Sequence, residues 1–380
     1  MKQFVKKALP LTCAAIAPFF LSADESVEAP MLCATKSALA TTNGNGSKMN
    51  QPMNQALMSD RITPETCPCV GNWADPYITA DFIYWKAQVD NANFAYNGTA
   101  SGTLLPPLSA PKEGRIYHPS FKYEPGFKVG FGLKFKHDGW DFFSQYTWLQ
   151  SAGKKHHKVA QANGVGDSLQ SMITYNGDST ASPFDLAQGN WRLHLNVLDL
   201  ELGRDFWISK RLSLRPFTGM KFSWNTQHFN VLNSNIVAPP ASVEYAMKVK
   251  QDGVGIRGGF NSAFFLANKW SIYGDLALTA MFNTLHSHRE NNVVFLDGDS
   301  VVTQTRTKGH LNTVSGILEM GLGLRFETCF SKNSYKYMLE AGWETQVWFD
   351  QAAFAFLNNA SSHPGNLSMQ GLTIKTGFWF

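Results

Sequence analysis

The chain has 380 residues, of which 44% are hydrophobic, 16% charged and 13% aromatic, with 31 glycines. Charge this sparse is below the ~25% usual for soluble domains, yet past the first 23 residues no stretch reaches the ~18 apolar residues of a membrane helix. A formal charge of +4 is too small to argue for a nucleic acid partner.

The first element is a leader. Lys2, Lys6 and Lys7 precede an apolar run from Ala8 to about Leu21, and then "LSADE". This is the layout of a secretory signal peptide over 1–23, with cleavage expected after Ala23. The run is too short for a membrane anchor and Pro18 interrupts it. Loss of the three lysines takes the charge from +4 to +1. Residues 24–71 follow as a polar extension, rich in Asn, Ser, Thr, Met and Gln over 34–66, and read as a mobile, disordered periplasmic leader.

From 72 to 380 the pattern changes. Phe127, Val129, Phe131, Leu133 and Phe135 alternate with Lys128, Gly130, Gly132, Lys134 and Lys136. Side chains of a strand point to opposite faces with period two, so one face is apolar and the other Gly and Lys. Comparable segments are 77–85, 126–136, 140–149, 192–208, 212–224, 253–266, 270–282, 314–328, 335–349 and 371–380. Most have ten or more residues, which suits membrane-spanning strands of about 9–11 rather than ordinary strands of about five or six. Short connections (HDG, SKR, ANK, CFSKNS) alternate with long ones at 86–125, 150–191, 225–252, 283–313 and 350–370. That rhythm predicts an all-β, antiparallel, up-and-down transmembrane barrel of ten strands, with short periplasmic turns and long extracellular loops. Twelve is the alternative count, if 168–175, 243–251 or 293–306 add a hairpin rather than extend strands.

Lipid offers the backbone no hydrogen-bond partner, so a sheet in a membrane must close. Tyr77 and Trp85, Trp140, Trp148, Trp191, Trp207, Trp224, Trp270, Trp343, Trp348 and Trp379 lie mostly at segment ends and are expected in the two interfacial girdles. At the end of the chain Leu372, Ile374, Thr376, Phe378 and Phe380 alternate outward. Ile374, Phe378 and Phe380 resemble the C-terminal signal read by the barrel-assembly machinery.

Four stretches carry a closer resemblance: "ADFIYWKAQVDNANFAY" (80–96), "GFKVGFGLKFKHDGWDFFSQYTW" (126–148), "LSLRPFTGMKF" (212–222) and "GVGIRGGFNSAFFL" (253–266). They resemble the Legionella-type major outer membrane protein family, which also occurs in chlamydia-like bacteria. The blocks imply coverage from about 72 to 380. The resemblance implies a porin-type or structural β-barrel in the outer membrane.

Cys33, Cys67, Cys69 and Cys329 are disulfide candidates. The topology places Cys329 at the short turn after the eighth segment, so all four face the oxidising periplasm. Cys67 and Cys69 are too close to pair comfortably with each other; Cys33, Cys329 or another molecule remain open as partners. Disulfide cross-linking of the envelope is what the chlamydia-like resemblance implies. Cys13 lies within the leader and does not make a lipoprotein signal, because Thr12 precedes it and the apolar run continues.

Other motifs are discounted. "GVGIRG" (253–258) fits G-x-G-x-x-G, but its glycines lie inside a strand with no helix after them. "KKHH" (154–157) and "HSH" (286–288) are assigned to external loops as solvated residues; no metal and no cofactor is expected. Alternation turns Lys128, Lys134, Arg215, Lys221, Arg257 and Arg325 inward as pore-lining candidates, opposed by Asp81, Asp141, Glu201, Asp275, Glu319, Glu340 and Glu344. Rings of such charges set ion preference in pores. A ten-strand lumen is nevertheless narrow, since eight strands are already filled by side chains.

The expected function is a porin for passive diffusion of small hydrophilic solutes or ions, also a major surface protein. The alternative is a disulfide-cross-linked structural envelope protein with little transport. An enzyme is not expected: rim candidates such as His194, Asp350 or His286 have no motif to support them. Expected partners are outer-membrane lipid, the barrel-assembly machinery, further copies of the chain and disulfide-linked envelope proteins, with no nucleic acid.

Overall fold

The computed structural model describes residues 73–98, 114–136, 139–158, 168–173, 186–235, 241–267, 269–295, 301–330, 335–352 and 365–380. The expected signal peptide, the extension 24–71 and Cys13, Cys33, Cys67 and Cys69 lie outside the described residues. The elements are all strands: β1 (Ala74–Val89), β2 (Ala95–Gly98), β3 (Gly114–Tyr117), β4 (Tyr123–Phe135), β5 (Trp140–Lys158), β6 (Ser168–Ser171) and β7 (Leu186–Arg204). They continue with β8 (Phe206–Ser209), β9 (Leu212–Asn235), β10 (Ala241–Phe265), β11 (Trp270–Phe295), β12 (Val301–Phe330), β13 (Tyr335–Ala352) and β14 (Gly365–Trp379).

Ten of these strands form one closed antiparallel cylinder in the order β1-β4-β5-β7-β9-β10-β11-β12-β13-β14, and β14 returns to β1. Each of the ten segments read from the sequence lies largely in one of these strands. The closing register pairs Phe82 with Ile374 and Tyr84 with Leu372, so every strand has two neighbours and no edge is left for lipid to solvate. Chain reversal at the tight β4–β5 turn uses Gly139 at φ 72, a left-handed conformation that glycine adopts without a Cβ clash.

The strands run far past the membrane band, and their two faces exchange character on the way. In the lower part of β1, Ile78, Phe82 and Tyr84 face out and Thr79 and Asp81 face in. Further up, Ile83, Trp85, Ala87 and Val89 are buried inside while Lys86 and Gln88 turn outward. In β7, Asp199 and Glu201 face in below, and Leu193, Leu195 and Val197 above, with Arg192 and His194 exposed. In β10, Arg257 gives way to Val249, Met247, Tyr245 and Val243. The lower half is therefore greasy outside and charged inside, as lipid demands. The upper half is polar outside, as water demands, and packs an apolar core inside, with Gln227, Asn233, Gln251, Asn283, Arg289 and Gln351 buried beside it.

Two corrections follow. The stretches 225–252 and 283–313 are mostly strand rather than loop, with "KKHH" inside β5 and "HSH" inside β11. Segments 243–251 and 293–306 extend β10, β11 and β12, and 168–175 contributes β6, so the barrel keeps ten strands.

Aromatic rings meet around the periplasmic rim: Trp73 with Phe135, Trp207 with Phe265, Trp270 with Phe326, and Phe378 with Phe330, Tyr335 and Phe380. The upper girdle includes Tyr84 stacked on Tyr123, Trp343 edge-on to Tyr123, and Phe127 stacked on Trp148. Trp85, Trp191 and Trp348, expected in the girdles, are fully buried inside the barrel, and Tyr77 and Trp379, expected there too, turn inward to line the lumen. Their inward parity put them there: Trp85 shares the face of Asp81 and Ile83.

The small sheet β3-β2-β6 packs against the inner wall of the upper half. A Cβ on Gly189 would run into the Phe94 ring, and Asn233 donates to Ser171 at 3.0 Å. Phe94, Leu169 and Ile173 have no exposed surface and join Trp85, Trp191, Phe229 and Trp348 in one core.

Candidate functional site

The lower lumen is the candidate site. All thirteen charged residues turned inward by alternation line one cavity of about 230 Å³, many times the ~10–15 Å³ that one water needs. Asp199, Asp205, Glu327, Lys336 and Lys375 line it too. The first, third, fourth and fifth of these were readable from the same alternation that gave Glu201, Arg325, Glu340 and Ile374. Among the lining residues eight are Lys or Arg and ten are Asp or Glu.

The charges interlock across strands. Arg257 on β10 reaches Glu319 at 2.6 Å, Glu201 at 3.1 Å and Asp199 at 3.3 Å. Lys221 on β9 lies 2.7 Å from both Asp199 and Glu319. Arg215 holds Asp141 at 2.8 Å and Glu201 at 3.1 Å, and donates to Asn261 at 2.8 Å. On the opposite wall Arg325 meets Glu340 at 2.5 Å, Lys128 meets Glu344 at 2.5 Å, and Lys336 meets Glu327 at 2.8 Å. Lys134 lies 3.7 Å from Asp205. Asp275 accepts from Asn261 at 2.8 Å and Asp81 from Gln145 at 3.1 Å. Small residues on β4 make room for this traffic. A Cβ on Gly132 would strike the Tyr77 ring, which lies over it and donates to Asp141 at 2.8 Å.

The apolar collar is the ceiling of this cavity. Lys128 sits 4.7 Å from the Trp85 ring centre and Lys221 6.0 Å from that of Trp348, contacts in which a cation is drawn to the ring face. The indole N–H groups are satisfied inside the collar: Trp85 donates to Thr373, Trp191 to Gln227 and Trp348 to Gln346.

The remaining candidates fall elsewhere. Cys329 is in strand β12, opposite Lys336, rather than in the turn; its candidate partners lie outside the described residues. Ile374 is exposed on the lipid face, and the Phe380 N–H donates to the Pro76 carbonyl at 3.2 Å. His194 is 3.0 Å from Gln150, His286 lies tilted against His310 with ring centres 4.9 Å apart, and the Asp350 N–H donates to Asn366. The structure does not bring these three together. Among the described residues no three His, Cys, Asp or Glu side chains converge as metal ligands.

A closed antiparallel cylinder with an apolar outer band, aromatic girdles and a charged interior is the construction of an outer-membrane β-barrel. The chain belongs to the Legionella pneumophila major outer membrane protein precursor family, whose model matches residues 66–380. It is thus an outer-membrane protein. No curated protein matches the sequence. Among solved structures it is similar to the outer membrane protease OmpT of Escherichia coli, at 8% identity and TM-score 0.35, over 80% of this chain and 96% of that one. It is also similar to a major outer membrane protein of Thermus thermophilus, at 9% identity and TM-score 0.32, over 81% and 100%. The third is the Pseudomonas putida toluene transporter TodX, at 8% and 0.30, over 82% and 90%.

Proposed function

We propose that the protein is a narrow porin that passes small ions and hydrophilic solutes by passive diffusion, and that the described conformation is its closed state. One observation carries this reading: the chain fills the upper lumen with an apolar core and buried amides but lines the lower lumen with charges around a cavity. A lumen that needed only filling could be apolar throughout, at lower desolvation cost. Ionisable walls suit a hydrated path, and the excess of carboxylates favours cations. The match to a major outer membrane protein family supports this reading, and we read the protein as non-enzymatic. Export through a cleaved leader, recognition of Phe380 by the assembly machinery, and disulfide links through Cys329 and the N-terminal cysteines are parts of the same proposal.

The sealed collar favours a second reading, a structural envelope protein with little transport. Planar-bilayer recording of refolded protein under a KCl gradient separates the two. The porin reading expects small, brief conductance steps with a reversal potential on the cation-selective side. Folded protein that inserts without any steps would leave the structural reading.

A further inference from the structure

The outer surface above the membrane band carries a second charged feature, which the lumen does not explain. On four strands the last outward residue of the apolar band is followed, four and six positions further from the membrane, by two basic side chains. After Leu198 of β7 come His194 and Arg192; after Val254 of β10, Lys250 and Lys248. After Phe282 of β11 come His286 and His288; after Val314 of β12, His310 and Lys308. On the strand between, His228 lies four beyond Trp224 of β9.

Register joins these into two rows across five neighbouring strands. One runs Arg192–His228–Lys248–His288–Lys308, the other His194–Thr226–Lys250–His286–His310. All nine basic side chains are exposed or half-buried, and neither row contains a carboxylate. Asp252 borders the patch on the membrane side and Glu290 on the far side, where it pairs with Arg306. The lumenal Arg and Lys are mostly ion-paired, whereas among the described residues Arg192, Lys248, Lys250 and Lys308 have no ion pair. Next to Arg192 and His194, β5 carries Ala152 and Gln150, and beyond it the outer face carries Lys86 of β1 opposite Gln370 of β14, so the dense basic surface belongs to one side of the cylinder. The field there is felt locally. Burial first, and then Lys248, His194, Arg192 and Lys250, push the His228 pKa below its ordinary value.

Four to six residues on a strand tilted about 40° rise roughly 10–15 Å above the apolar band. That is above the ester level of the bilayer, where a tall sugar headgroup of the outer leaflet still reaches. We propose that this two-row surface on β7, β9, β10, β11 and β12 binds the phosphate groups of a phosphorylated glycolipid headgroup. Arg and Lys form charge-assisted hydrogen bonds to phosphate, and a broad patch suits several phosphates on one lipid better than a single small anion.

The test uses the refolded full chain in detergent micelles with fluorescent rough-type lipopolysaccharide, native or stripped of its phosphates. Native lipid is expected to bind, with the stripped lipid weaker by several hundredfold, at about fivefold for each of four cations that lose their phosphate contact. The R192Q/K248Q/K250Q/K308Q variant should lose the same factor while keeping the heat-modifiable gel shift of a folded barrel. Wild-type affinity should also fall steeply with salt, a readout that needs no variant. Equal binding of both lipids, salt-independent binding, or a folded variant with unchanged affinity would overturn the proposal. So would competition by inorganic pyrophosphate at the lipid's own affinity, which would mark a free-phosphate site. None of these outcomes depends on conductance, so the porin reading stands or falls separately.

Discussion

Arg257 faces three carboxylates, Asp199, Glu201 and Glu319, with its side chain almost wholly enclosed. Removing one partner of such a set leaves charge uncompensated, at a cost of about 3–5 kcal/mol. R257M should therefore unfold at lower urea in detergent, and adding E319Q should return part of the loss, because one of the stranded carboxylates is gone. Full additivity of the two changes would show that the groups do not communicate. His228 offers a second residue-scale test. Its pKa is depressed below 6.5 by burial and by Arg192 and His194 on β7 and Lys248 and Lys250 on β10. A phosphate bound among these cations raises it again, so binding takes up a proton. Glycolipid affinity should then rise as pH falls below about 6.5, measured by titration on either side of that value; affinity that falls on acidification contradicts the linkage.

Each strand is one sheet element in two solvents, and the change of solvent can be measured on a single strand. Leu278 of β11 lies in the lipid band, 60% exposed, and Thr284 lies six residues higher, bonded to Asn312 at 3.1 Å. L278K should cost about 2–4 kcal/mol in a bilayer and T284K about 0–1, following the depth dependence of lysine on a barrel exterior. Equal costs would place the boundary elsewhere. The same exchange of faces explains what could be read beforehand. Alternation with the apolar face outward finds all ten strands, but on β10, β11 and β12 the segments stop where the phase reverses, so 243–251 and 293–306 stand apart as possible extra strands. Parity also turned thirteen lumenal charges inward. It could not say that Arg257 meets Asp199, because that contact needs the register of three strands. Position at a segment end places Trp140, Trp224, Trp270 and Trp343 correctly on the outer face, but for Trp85, Trp191, Trp348 and Trp379 inward parity overrides it.

At the scale of the whole molecule, the barrel is a charged vestibule under an apolar lid. Closure rests on Trp85, Trp191, Trp348 and the inserted Phe94, all without exposed surface. The lipid band and both girdles lie on the outer face, so trimming the lid leaves the membrane contacts intact. Trp191 is the most informative position: it packs edge-on against Phe121 at 5.3 Å and holds Gln227 at 3.3 Å. W191A removes one of the largest enclosed side chains, at about 3–5 kcal/mol of stability, and leaves Gln227 to line the opening. Pairing it with F94A removes the ring above Gly189. If the vestibule is a path and the lid its gate, single-channel conductance should rise stepwise from the wild type through W191A to the double variant, with cation preference retained from the vestibule below. Conductance that stays at the wild-type level in a folded double variant would mean that the charged half ends blind, and that the cylinder serves the envelope as a wall.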